Sequence, residues 1–347
     1  DGTLHFNYKA EDLEPSEKIA RENLEKDLAK IVALPKEQRT FENTLLAYDE
    51  AFEKYSHALG QAGFLAYVST DEKLRNAALA LEEKISSYMV EVATRKDIYQ
   101  AFKDYADTKP NLPKIEAKML KDAMIGFRKS GLMLEGNDLE TFKDLQKKRS
   151  KNSIEFSKNI REYKDSLAVT KEELSGLGED YISRLEKDEN GKYIVTLNYP
   201  DYVPFMQNAD DDNARKVLEE KYSKRGGTQN ISLLEDNLFL RYQTAKLLGY
   251  KTHAHNRLDT RMAKTPENVM NFLQDLEKKL KPLAKKEQKE LLKYKTEKTG
   301  EKTKKIETWQ SAYWSNKYKK EHYDIDAEKI KEFFPTDYVI ENMLEIF

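Results

Sequence analysis

Leu74, Ala78, Leu81, Ile85, Tyr88 and Val92 recur at alternating steps of four and three residues. That spacing sets apolar side chains along one face of an α-helix. It predicts a helix from Ser69 onward, with Ser69 or Thr70 as its N-cap and Asp71 and Glu72 favourable in the first turn. Similar stripes return along much of the chain. Hydrophobic residues make up 39% and charged residues 35%, a mixture that suits amphipathic helices with a narrow apolar stripe and a solvated charged face. The expected fold class is therefore mainly α. At 347 residues the chain exceeds the size at which one core usually divides. Two regions are expected, 1–168 and 169–347.

Thr108 to Pro113 carries two prolines and breaks the helical pattern. Leu112 to Arg128 reads as the next helix, and Gly131 and Gly136 punctuate the turn after it. A longer helix is expected from Asn137 through Phe142, Leu145, Phe156, Ile160 and Tyr163, with a solvated Lys/Arg-rich outer face. Strand character is concentrated near 190–200. Asn190-Gly191 is a strong turn signal, Tyr193 to Leu197 is β-branched and aromatic with an alternating face, and Tyr199-Pro200 closes it. A small β element inserted among helices is expected there.

Asp210 to Asp212 precede a helix running to about Lys224 and ended by Gly226-Gly227. The next helix carries Ile231, Leu234, Leu238, Ala245 and Leu248 as its apolar positions, and Gly249 stands where a left-handed C-terminal cap belongs. Thr265 and Pro266 fit the cap and first position of another, whose face is Val269, Leu273, Leu276, Leu280 and Leu283. Lys295 to Lys305 reads as a polar, solvated loop. Helical pattern returns for Trp309 to Tyr318 and for Ala327 to Phe334.

Several chemistries are disfavoured at once. Lys and Arg number 60 against 62 Asp and Glu, so no global pull toward nucleic acid or an anionic membrane is expected. There is no cysteine, which removes disulfides, thiolate nucleophiles and cysteine-zinc sites. No apolar run approaches the roughly 18 to 20 residues that span a bilayer. The histidines are His5, His57, His253, His255 and His322, and no HExxH zinc motif is formed. His253 and His255 would diverge on a helix and read as polar residues after Gly249. Ser130-Gly131 and Ser175-Gly176 read as turns, and Gly226-Gly227 lacks the Lys-Ser/Thr of a phosphate loop. Asp210 to Asp212 lacks the Gly and terminal Glu of an EF-hand and reads as an acid-rich helix start. The lysines from Lys278 to Lys305 are interleaved with Glu277, Glu287, Glu290, Glu297 and Glu301, as on a solvated face. Trp309, Tyr313 and Trp314 read as packing anchors. The residues alone assign no catalytic group, no metal ligand and no substrate-binding side chain.

Longer stretches are more specific. Thr170 to Ile182 (TKEELSGLGEDYI), Val195 to Pro204 (VTLNYPDYVP), Leu240 to Tyr250 (LRYQTAKLLGY) and Met262 to Pro266 (MAKTP) stand in this order. With Thr40 to Thr44, Phe127 to Gly131, Trp309, Tyr313 and Phe333 to Pro335, they resemble the thimet oligopeptidase, neurolysin and peptidyl-dipeptidase family from about Thr40 to Phe347. Gly178 stands where that family usually has proline, and Gln310 where it usually has an acid. The resemblance implies a zinc peptidase of short peptides with two mainly helical lobes flanking a deep channel. It also implies that HExxH and the third zinc ligand lie downstream of the matched segment, so no catalytic or metal residue transfers to this chain. The expectation is thus an inactive N-terminal, channel-forming portion that partners a catalytic lobe and short peptides, without nucleic acid or membrane. The alternative is a stand-alone helical peptide-binding scaffold. A cytoplasmic location is expected, and because Asp1 in place of methionine suggests a processed or trimmed start, export is left open. Leu344, Ile346 and Phe347 are candidates for apolar surface covered by the other lobe.

Overall fold

The computed structural model describes residues 7–346. In chain order it forms helices α1 (Ala10–Ala33), α2 (Ala47–Val68), α3 (Glu72–Ala93), α4 (Lys96–Asp107), α5 (Lys114–Lys129) and α6 (Asn137–Arg161). Strand β1 (Ser166–Val169), α7 (Glu179–Ser183), β2 (Tyr193–Thr196), α8 (Tyr199–Asn208) and α9 (Asp212–Ser223) follow. The remainder is α10 (Gly227–Leu247), α11 (His253–Leu258), α12 (Pro266–Thr299), α13 (Thr308–Tyr323), α14 (Ala327–Lys331) and α15 (Thr336–Ile346). The chain divides into two compact units, each drawn from two stretches: 1–159 with 228–266, and 160–227 with 267–347. Among the described residues no helix is long and apolar enough to cross a membrane.

In the first unit α1, α2 and α3 pack on one another, and α4 packs on α1 and α5. The stripe that predicts α3 is the stripe it buries: Leu74, Ala78, Leu81, Tyr88 and Val92 are all core residues. Its start lies one or two residues later than expected. Asp71 is the N-cap, its Oδ1 accepting from the amides of Lys73 at 2.8 Å and Leu74 at 3.4 Å. Ser69 instead accepts from the Asp71 amide, so it closes the preceding turn rather than the helix. Leu24, Leu28, Leu45, Ile98 and Phe102 form the centre of the larger core. Complete burial of each such side chain contributes about 1.5–3 kcal/mol.

α10 packs through a polar face. Asn159 Nδ2 donates to Asn230 Oδ1 at 2.9 Å, and Asn230 Nδ2 donates to the Phe156 carbonyl at 3.0 Å. Asn237 Nδ2 reaches Ser153 Oγ at 3.4 Å, and Gln146 Nε2 reaches Thr244 Oγ1 at 3.3 Å. Asn230, Asn237, Thr244 and Ala245 are the buried residues of this helix. Of the expected core positions Ala245 is buried, but Ile231, Leu234 and Leu238 are turned outward, between 47% and 58% exposed. Periodicity locates a face but does not say which side finds a neighbour.

The second unit holds the β element, with β1 and β2 antiparallel in a register that pairs Ser166 with Thr196 and Val169 with Tyr193. Asp188 Oδ1 accepts from the amides of Asn190 and Lys192, and Gly191 takes φ +77°, so the expected turn forms before β2. Val169, Leu174, Val195, Phe205 and Leu218 make the core beneath it. Gly176 takes φ +89°, and a Cβ there would lie 2.2 Å from the Asn208 carbonyl oxygen, so the Ser175-Gly176 turn closes directly on the end of α8. α12 begins at Pro266 as expected and runs 34 residues. The predicted loop from Lys295 to Lys305 is corrected: the helix continues to Thr299, and Lys295 is buried. Tyr294, Tyr313 and Trp314 form the core that covers it.

Candidate functional site

The residues singled out for metal or nucleophile chemistry are scattered. His5 lies outside the described residues. His57 is exposed on α2. Thr252, the N-cap of α11, has its hydroxyl 2.8 Å from His255 Nδ1. His322 stacks on Tyr318 with ring centroids 4.0 Å apart. Burial and the charges of Arg241, Arg149 and Arg257 hold His253 below the ordinary histidine range. Guanidinium groups that act on an imidazole also repel a divalent cation. Among the described residues no group of three or more His, Asp and Glu could hold a metal ion.

Asp210 to Asp212 do more than begin a helix. Only Asp211 caps α9, accepting from the Ala214 amide at 2.7 Å. Asp210 accepts from Tyr313 Oη at 2.7 Å, Ser175 Oγ at 2.9 Å and Lys317 Nζ at 3.1 Å. Asp212 accepts from Arg215 Nη2 at 2.6 Å, Trp309 Nε1 at 3.0 Å and Gln310 Nε2 at 2.9 and 3.0 Å. Burial raises both carboxyls, but these donors outweigh it and hold both below the ordinary carboxylate range. Carboxylates saturated in this way serve as fixed anchors for α13 rather than as proton carriers. Arg215 is 1% exposed, with Nη1 bonded to the Ala209 carbonyl and its guanidinium 4.0 Å from the Tyr313 ring centroid. Gln310 joins two charges, since its Oε1 accepts from Lys295 Nζ at 2.9 Å while its Nε2 donates to Asp212. A carboxylate at 310 would have no proton to donate to Asp212. The departure at this position thus has a structural consequence.

The surface of functional interest is apolar. Besides Ile231, Leu234 and Leu238, α10 exposes Phe239 and Tyr242. On α12, Met270, Phe272, Leu273, Leu276, Leu280 and Leu283 are 39–67% exposed. Leu344 and Ile346 of α15 are 68% and 78% exposed, while Phe347 lies outside the described residues. The expected face of α12 therefore exists but is uncovered, like that of α10. An apolar face left exposed along a helix in this way is a candidate interaction surface. A signal for it was present in α10, where Asn230, Asn237 and Thr244 recur every seven residues on the packed side. The lysines of α12 pair one turn apart with acids, as in Lys279–Asp275, Lys281–Glu277 and Lys293–Glu297, which is the expected solvated pattern.

The model of peptidase family M3 matches residues 205–347. The thimet-like oligopeptidase of Dictyostelium discoideum is 32% identical over 99% of the chain and 53% of its own length. Saccharolysin of Saccharomyces cerevisiae is 35% identical over 86% of the chain and 44% of its own length. Oligopeptidase A of Escherichia coli is 26% identical over 94% of the chain and 49% of its own length. The chain spans about half the length of the curated relatives it matches.

Proposed function

Because the chain belongs to peptidase family M3, the thimet oligopeptidase family, we propose that it forms a non-catalytic, channel-wall portion of a zinc oligopeptidase acting on short peptides. The observation that carries this reading is the uncovered apolar faces of α10 and α12. In the active protein each of these faces meets further protein. A helical wall of this kind excludes folded substrates by size and shields the scissile bond from bulk water. In this reading the zinc ligands and general base belong to the catalytic lobe, and no metal-holding role is given to the residues of this chain. Its own residues act by shape and by position, with the Asp210–Asp212 anchors fixing α13 beneath α12.

A test is binding of the dye ANS to the purified chain. Leu234→Glu/Leu238→Glu replaces two exposed side chains, so stability should change by no more than about 0.5 kcal/mol for each. Helical circular dichroism is expected to be unchanged while the dye emission falls by about half. Unfolding of the double variant would show that the α10 face is core. Unaltered emission with native circular dichroism would show that this face is not an accessible apolar surface. Either result contradicts the proposal.

A further inference from the structure

A second feature of the first unit is chemically opposite to the apolar faces. α6 and α10 run antiparallel along a shared seam, joined by Gln146–Thr244 at one point and Ser153–Asn237 two turns away. Arg149 lies one turn from each α6 contact, and Arg241 lies one turn from each α10 contact. The register therefore brings the two arginines opposite each other at the middle of the seam. α11 adds His253 and Arg257, four residues apart on one helix face. The charges of Arg241 and Arg257 act on Arg149, and all three arginines act on His253.

Clustering three guanidinium groups costs energy unless an anion offsets their repulsion. Among the described residues none supplies such an anion at this place. Arg149, Arg241 and Arg257 form no side-chain hydrogen bond or ion pair among the described residues. The acid nearest in sequence, Asp259, is already taken by Arg128 at 2.9 Å and Tyr250 at 2.9 Å. The Nδ1 of His253 is buried and has no partner, and neither has Oδ1 of Asn237, a residue 6% exposed on the seam itself. Polar groups left unpaired in this way are uncommon in native structures and ask for an explanation.

We propose that Arg149, Arg241, Arg257 and His253 form a binding site for a single carboxylate. Planar guanidinium forks carried by two helices and a third short one match the two oxygens of a carboxylate, and the imidazole supplies a further polar contact. The carboxylate comes either from the C-terminus of a short peptide or from an Asp or Glu side chain. This inference stands apart from the peptidase reading, because it depends only on charge and geometry within one unit.

The test measures the thermal midpoint of the whole 347-residue chain at constant ionic strength while sodium acetate replaces sodium chloride. Acetate at high occupancy is expected to raise the midpoint of the unmodified chain by about 3 °C, as a ligand that binds only the folded state does. Arg149→Met and Arg241→Met should each raise the midpoint without acetate, because like charges are relieved, and should lose most of the acetate response. Either variant keeping the full response would overturn the site. So would a lowered midpoint of both variants in chloride, which would mark the arginines as packing elements. A flat acetate response in the unmodified chain would also overturn it. A capped tripeptide acid, its C-terminal amide and an amide with an internal glutamate then separate the sources. Protection by the acid alone assigns a peptide terminus, and equal protection by the glutamate peptide assigns a side chain. Protection by none of the three would overturn the proposal.

Discussion

Phe102→Ala is expected to destabilise the first unit by about 3–5 kcal/mol, the range for truncating a buried aromatic side chain. Phe102 is 2% exposed and stands between two other rings. Tyr48 meets it edge-on at 5.2 Å and Phe127 at 5.1 Å, which adds aromatic geometry to the area it buries. α4 carries it between the α1–α2 layer and α5, so the cavity would loosen several helices at once. Urea unfolding should show a lowered midpoint. Amide hydrogen exchange should quicken in α4 and α5 before it does in the second unit. A loss below about 1 kcal/mol would mean that the core collapses onto the gap and that Phe102 is not central.

Arg215→Met should destabilise the second unit by about 3 kcal/mol, the low end for breaking a buried charged pair. The low end applies because the Asp212 side chain is half exposed and water can replace part of what it loses. The methionine occupies similar space, so the loss reports on charge and hydrogen bonds more than on volume. The Ala209 carbonyl loses its donor, Asp212 loses its closest cation, and the Tyr313 ring loses the guanidinium stacked on it. The readout is again a urea midpoint, with exchange in α9 and α13. If Arg215→Met matches the unmodified chain, α13 is held by its apolar contacts alone and the carboxylate anchors are dispensable.

Much of the helix order was legible in the sequence, because its signals are local. The α3 stripe, the Gly131 and Gly136 turns, the Asn190-Gly191 turn before β2 and the Pro266 start of α12 each depend on a few adjacent residues. What was hidden depends on contacts distant in sequence. β1 is four residues long and is defined by pairing with β2 some thirty residues later. Lys295 looked like a loop lysine because its partner, Gln310, lies across a turn on another helix. Asp210 and Asp212 looked alike to the eye, yet they bind different residues of α13. The inward side of α10 was misjudged because asparagine and threonine are rarely favoured over leucine for burial. The arginine cluster is not legible in the sequence because its members come from three helices. The resemblance added what periodicity could not, and the proposal that the uncovered faces serve a peptidase rests on it.

The central claim is that this chain shapes an oligopeptidase without carrying its chemistry. The most direct measurement is hydrolysis of a quenched fluorogenic peptide by the purified 347-residue chain with equimolar zinc. The account predicts a rate equal to that of zinc in buffer and unaffected by a chelator. Cleavage above that background, abolished by the chelator and restored by zinc, would contradict it.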